Sequence, residues 1–248
     1  MQVLIGFVIA LCVGLTGVGG GSFTAPALVL LAGLSGVDAV GTALVYSMVV
    51  RVAAAPFYVA GKQVHFRYLC LMLLGALPGL AAGSYFLATL NTRRWNHVVL
   101  VMLGVTLIGS SILTIAARKA RLNQQRSGFW LPWLTFPIGV ETGFSSAGAG
   151  ALGTMLLFNC EDMPANRVVG TDLLFGIALA GVGALFHFSV GSISGSSLKE
   201  LLTGGIPGVF LGCILAPRLP VVRLKSLIVG ITFLLGLQLI WNGVRVWH

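Results

Sequence analysis

The residues with chemistry to offer in this 248-residue chain gather around two glycine-rich runs set in apolar sequence. The first reads Gly14-Leu15-Thr16-Gly17-Val18-Gly19-Gly20-Gly21-Ser22 and is followed by Pro26; the second reads Gly143-Phe144-Ser145-Ser146-Ala147-Gly148-Ala149-Gly150. Glycine opens dihedrals closed to other residues and weakens a continuous helix, so each run predicts a helix broken in its middle. A half-helix that follows a break presents unpaired N–H groups and a positive dipole end, which together favour an anion. The candidate ligand lining is therefore the backbone of Gly17, Gly19, Gly20, Gly21, Gly148, Ala149 and Gly150, with the hydroxyls of Thr16, Ser22, Ser145 and Ser146. Pro26 suits the first turn of such a half-helix, where its missing N–H is not needed.

Three charged side chains set inside apolar stretches could serve a ligand or a proton. Arg51 falls well inside the segment 39 to 60, where an arginine at a helix centre costs about 2.5 to 3.5 kcal/mol. It is expected to face the bundle interior or to snorkel; an interior arginine would offer an anion its planar donor fork, and a backbone carbonyl is the competing partner. Glu141 precedes the second glycine run by two residues, and Asp172 follows Thr171. Buried carboxylates have raised pKa values and can carry protons, so both are proton-coupling candidates; Asp172 could instead cap a helix start. Thr42 and Thr171 offer hydroxyls to a ligand or to neighbouring backbone, and His187 is expected at an interface near a span end.

These residues belong to a sequence that repeats itself. Gly41-Thr42 recurs as Gly170-Thr171, an offset of 170 − 41 = 129, and at the same offset Gly19 meets Gly148, Gly21 meets Gly150, Gly75 meets Gly204, Pro78 meets Pro207 and Arg94 meets Arg223. Matching glycine interruptions in a duplicated apolar chain are the signature of a secondary transporter with its site between two repeats. Gly75, Gly79 and Gly83, and likewise Gly204, Gly208 and Gly212, are spaced by four and predict small-residue stripes for close helix packing.

The elements that must position these groups are membrane spans. Hydrophobic residues make up 57% of the chain and charged ones 8%, against about 25% charged in an average soluble domain, and mean hydropathy is +0.99. Stretches near the ~20 residues needed to cross a bilayer occur at roughly 39–60, 68–90, 96–117, 168–190, 198–217 and 224–243, and two longer segments, 3–33 and 129–159, hold the glycine runs. No basic leader and no small-residue cleavage site mark the start, so a removable signal peptide is not expected. Trp95, Trp130, Trp133, Trp241 and Trp247 fall at span edges, as in aromatic belts.

Two topologies compete. If each long segment crosses once, there are eight crossings and the basic residues divide eight against six; if each enters and returns on one side, they divide ten against four. The second division is the stronger positive-inside signal. It leaves three crossings per repeat, an odd number, which inverts one repeat relative to the other and puts the basic linker around Arg118, Lys119, Arg121 and Arg126 in the cytoplasm.

Other classes are disfavoured. The net charge of +9 sits in the linker and beside spans, where it serves topology and lipid headgroups rather than nucleic acid. No HExxH, no Ser/His/Asp or Cys/His grouping and no P-loop follows from the spacing. Cys12, Cys70, Cys160 and Cys213 form no CxxC pair or metal-ligand spacing. Neither enzyme activity, a cofactor nor a metal is expected. An anion channel could use the same half-helix dipoles.

The runs GVGGGSFTAPAL (Gly17 to Leu28), Gly41-Thr42-Ala43-Leu44, Ala60-Gly61-Lys62-Gln63-Val64 and LGALPGLAAGS (Leu74 to Ser84), then GFSSAGAGALGT (Gly143 to Thr154), Val169-Gly170-Thr171-Asp172 and GGIPGVFLG (Gly204 to Gly212), together resemble the sulfite exporter TauE/SafE family of bacterial membrane transporters. The resemblance covers essentially the whole chain. It implies export or uptake of small sulfur-containing anions, such as sulfite, sulfoacetate or other organosulfonates, coupled to protons. The second run departs from the first in reading Gly148-Ala149-Gly150 against three successive glycines and in having Met155 where Pro26 stands.

The expected protein is thus an all-α polytopic carrier of the bacterial inner membrane. Repeat 1 would span residues 1–117, the basic linker 118–128 and repeat 2 residues 129–248. Its partners would be the bilayer, a small anion and protons, and a homo-oligomer is compatible with such a surface.

Overall fold

A computed structural model describes the chain except residues 17–20, 60–63, 91–95, 120–127, 148–149, 162, 191, 217–220 and 246–248. The described helices are α1 (Gln2–Thr16), α2 (Gly21–Ala32), α3 (Gly36–Val59), α4 (Phe66–Thr89), α5 (Asn96–Lys119), α6 (Leu131–Ser145), α7 (Ala151–Phe158), α8 (Ala165–Ser189), α9 (Gly195–Leu215) and α10 (Val221–Arg245). Six of them, α3, α4, α5, α8, α9 and α10, are long and apolar enough to cross a membrane. Their outward faces carry large apolar side chains such as Leu74, Leu185 and Phe188, which lipid accepts and water would not. The chain is a multi-pass membrane protein.

Each long segment yields two helices: α1 ends at Thr16 and α2 begins at Gly21, while α6 ends at Ser145 and α7 begins at Ala151. Pro26 does not occupy the first turn of its half-helix. The helix already begins at Gly21, so Pro26 lies inside it, and its ring withholds an amide from the Ser22 carbonyl one turn back.

The start of α3 is fixed by a reciprocal cap, Ser35 Oγ donating to Asp38 Oδ2 at 2.7 Å and accepting from the Asp38 N–H at 3.2 Å. The starts of α4 and α9 are fixed from the opposite half of the chain. The N–H of His65, the N-cap of α4, donates to Thr171 Oγ1 at 2.9 Å, and the N–H of Ser194, the N-cap of α9, donates to Thr42 Oγ1 at 3.0 Å. These two bonds are the same bond with the repeats exchanged, because 65 + 129 = 194 and 42 + 129 = 171.

The glycine stripes obey the same exchange. A β-carbon added at Gly75, Gly79 or Gly83 of α4 would stand 1.9, 2.2 and 2.2 Å from the carbonyl oxygens of Pro132, Phe136 and Val140 on α6. At Gly204, Gly208 and Gly212 of α9 it would stand 1.9, 2.4 and 2.5 Å from those of Val3, Phe7 and Leu11 on α1. Only glycine lets these backbones touch. The rising order of both residue series makes α4 parallel to α6 and α9 parallel to α1. α1 and α6 are therefore each seated on a helix from the other half of the chain.

Counterpart helices meet head to tail. Gly183, Gly181 and Gly176 of α8 pack on Leu44, Met48 and Arg51 of α3, a falling series against a rising one. In α10, Gly236 and Gly243 pack on Leu107 and Val101 of α5 in the same reversed sense. Finally, Tyr46 and Tyr58 of α3 donate hydroxyl hydrogens to the carbonyls of Gly6 and Gly14, so α1 runs the same way as α3.

Candidate functional site at the two helix breaks

The two breaks touch. Ser146, which ends α6 in a left-handed conformation (φ 59°, ψ 2°), donates its hydroxyl to the Gly21 carbonyl at 3.0 Å. A β-carbon at Gly21 would lie 2.0 Å from the Ser146 carbonyl oxygen, so the contact demands glycine there. The N-cap of α7 is Gly150 at φ 134°, ψ −77°, a conformation L side chains rarely adopt. Thus the first residue of α2 and the last turn of α6 meet directly.

Other predicted lining residues are engaged locally. Thr16 Oγ1 donates to the Cys12 carbonyl at 2.7 Å; Ser145 Oγ donates to the Glu141 carbonyl at 2.9 Å and accepts from the Ala147 N–H at 3.3 Å. Ser22 is half-buried on α2. Thr42 and Thr171 are fully buried, and their oxygens accept the cross-repeat amides described above. Gly17, Gly19, Gly20, Gly148 and Ala149 lie outside the described residues.

The charged candidates separate. Arg51 and Asp172 come together between α3 and α8, 2% and 1% exposed, with Arg51 inside the electrostatic field of the Asp172 carboxylate. The guanidinium fills the space that a side chain at position 176 would take, and Gly176 lies one helical turn beyond Asp172. Arg51 therefore faces the interior and does not snorkel. Asp172 does not cap a helix start: α8 begins at Ala165, with Pro164 as its N-cap. Glu141 is half-buried on α6.

Thr154 completes the cluster, and it was not singled out by spacing. Its hydroxyl lies 3.0 Å from Asp172 Oδ2 and also bonds the Gly150 carbonyl, tying the charge pair to the first turn of α7. Its repeat counterpart is Ala25 (154 − 129); that mismatch, a hydroxyl beside a glycine run with no partner in the other repeat, is the signal that could have found it.

His187 is not interfacial but wholly buried. It lies by the Gly143 carbonyl, as its counterpart Tyr58 (187 − 129) bonds that of Gly14, and its Nδ1 pairs with Ser192 Oγ at 2.9 Å. A polar ring at each of these positions serves the last turn before a break. Outside the spans, burial pushes the Cys160 thiol up to about 11, with Glu161 beside it adding to the effect; a protonated thiol of this kind is packing material. Among the described residues no three His, Cys, Asp or Glu gather as a metal site.

Residues 2–239 match the family described as sulfite exporter TauE/SafE. The probable membrane transporter protein YjnA of Bacillus subtilis (strain 168) is 31% identical over 253 residues, covering 96% of this chain and 98% of its own. The probable membrane transporter protein YdhB of the same organism is 27% identical, covering 96% and 99%. A probable membrane transporter protein of Haemophilus influenzae is 23% identical, covering 96% and 92%. No solved structure matches. With broken helices meeting at their tips inside a multi-pass bundle, and with a match across nearly its full length, the chain belongs to the sulfite exporter TauE/SafE family of membrane transporters.

Proposed function

We propose that this protein is a secondary active transporter, not an enzyme, which moves a small sulfur-containing anion such as sulfite or an organosulfonate like sulfoacetate, coupled to protons. The observation that carries the reading is the contact of the two breaks at Gly21 and Ser146. Unwound backbone at membrane depth is tolerated where it lines a cavity or is buried in protein, and a helix start beside such a break favours an anion there.

Alternating access follows from inverted repeats, a reading supported by the reversed packing of α3 on α8 and of α5 on α10. Because α1, α3 and α9 run one way, α2 leads back toward the side from which α1 came, and each broken segment is read as a re-entrant hairpin. Repeats at 1–117 and 129–248, joined by a cytoplasmic linker, fit this division. The anion would lie between the tips, with Arg51 supplying positive charge and Asp172 or Glu141 carrying the proton.

The test is uptake of radiolabelled sulfite, sulfoacetate, taurine, thiosulfate and sulfate into proteoliposomes, with and without a pH gradient. Saturable accumulation driven by the gradient is expected for one sulfur anion, and its loss in Gly21→Leu places the site at the breaks. Flux that only dissipates gradients would make the protein an anion channel. Absence of flux for every sulfur anion would overturn the substrate class.

A further inference from the structure

We propose that the transported anion and the Asp172 carboxylate compete for Arg51, so that binding one anion obliges Asp172 to take up one proton, with Thr154 positioning the carboxyl in both states. This rests on the anion-transport reading above and names how its proton is coupled.

Arg51 and Asp172 are held together where almost no water reaches, between α3 and α8. The guanidinium fills the notch of Gly176, and Asp172 stands one turn away on the same face of α8. In such surroundings one cation balances one anion; a second anion brought to Arg51 leaves a net negative charge whose burial is costly. A proton on Asp172 removes that charge and frees the guanidinium fork for the oxyanion. When the anion leaves, the proton leaves too, and the pair re-forms.

Thr154 makes the exchange inexpensive. Its single hydroxyl hydrogen faces two acceptors, the Gly150 carbonyl and Asp172 Oδ2. With Asp172 ionised, that hydrogen turns to the carboxylate. With Asp172 protonated, the carboxyl donates its own hydrogen to Thr154 Oγ1, and the Thr154 hydrogen turns to Gly150, the N-cap of α7. The carboxyl is thus hydrogen-bonded in both states, and its charge is reported by one hydroxyl rotation to the edge of the second break.

Other groups around Asp172 do not supply the proton. From α3 the charged residue is Arg51; from α7 it is met by Thr154 and Gly153; from α4 the side chain packed alongside is Met72. His65, just before α4, approaches through its backbone N–H on Thr171. Glu141 on α6 is the other carboxylate of the proposed site. Asp172 and Arg51 have alanines as repeat counterparts, Ala43 (172 − 129) and Ala180 (51 + 129), so the molecule holds one such pair and a single proton per anion follows.

The test is calorimetric titration of the purified full-length protein in detergent with methanesulfonate, which stays ionised across the working pH range, and with sulfite corrected for its own titration. Buffers of different ionisation enthalpy give the proton count. About one proton per anion is expected, with affinity falling about tenfold per pH unit above the titration of Asp172. Asp172→Asn should bind without proton uptake and without pH dependence. Arg51→Gln should lose binding, and Thr154→Val should bind with a displaced pH profile that Thr154→Ser restores. The wild-type proton count needs no variant: anion binding without proton uptake overturns the proposal while leaving anion transport intact. Uptake retained in Asp172→Asn, uptake abolished by Glu141→Gln alone, or a wild-type profile in Thr154→Val would also overturn it. No binding of either anion at any pH overturns the transport reading itself.

Discussion

The frame of this protein is made twice and its charged centre once. Three sets of frame contacts recur at the 129-residue offset: the α4 stripe on α6 and the α9 stripe on α1, the Thr171 and Thr42 bonds to the caps of α4 and α9, and the rings of Tyr58 and His187 beside Gly14 and Gly143. In the centre, Arg51, Asp172 and Thr154 stand where the counterpart positions hold Ala180, Ala43 and Ala25. The matching contacts hold helices together, and the proposed transport chemistry rests on residues without a match at that offset. A buried charge is expensive, and a single substrate needs a single set.

The comparison can be broken at the frame first. Gly79→Val and Gly208→Val each push a side chain onto a carbonyl, of Phe136 and of Phe7, and each should cost about 3 kcal/mol or more. Unfolding in mild detergent measures both; a large cost at only one would mean that the two seats are not equivalent. Next, Gly176→Ala places a methyl on the Arg51 guanidinium and should cut anion flux by ~tenfold or more in a folded protein, since small misplacements of a binding group are costly. At its counterpart (176 − 129), Ser47→Ala should leave flux near wild type, and equal losses would erase the distinction between frame and centre.

Smaller effects sharpen the same contrast. Thr42→Val and Thr171→Val each remove one acceptor from a cap amide and should each cost about 1 kcal/mol, by the same assay. Tyr58→Phe removes a hydroxyl bond to Gly14 and should cost about 0.5 to 1.5 kcal/mol. If Thr42→Val abolished anion binding at unchanged stability, its hydroxyl would belong to the site rather than to the frame.

Much of this was legible from residue order. The six spans fall within a few residues of their expected limits, from 39–60 against Gly36–Tyr58 to 224–243 against Leu227–Arg245, because ~20 apolar residues have one stable form in lipid. The breaks were legible from glycines with no helical period, and the stripes from glycines with one. What the stripes touch was not legible: spacing shows that a helix can be approached closely, not which helix approaches. Arg51 lies 121 residues from Asp172 (172 − 51), so their meeting depends on α3 and α8 packing head to tail. Pro26 misled because a proline's position within a helix depends on where that helix begins, and α2 already includes Gly21.

The seating of α1 on α9 bears on how the protein is made. Val3 meets Gly204, which a ribosome adds 201 residues later (204 − 3). Helix α1 is made long before the groove that receives it, and until α9 exists its apolar flank must wait in lipid or against a provisional neighbour. Contacts this distant close slowly. Synthesis of α9 completes more than the second half: it locks the first, and a chain stopped before it would be left with an unseated beginning.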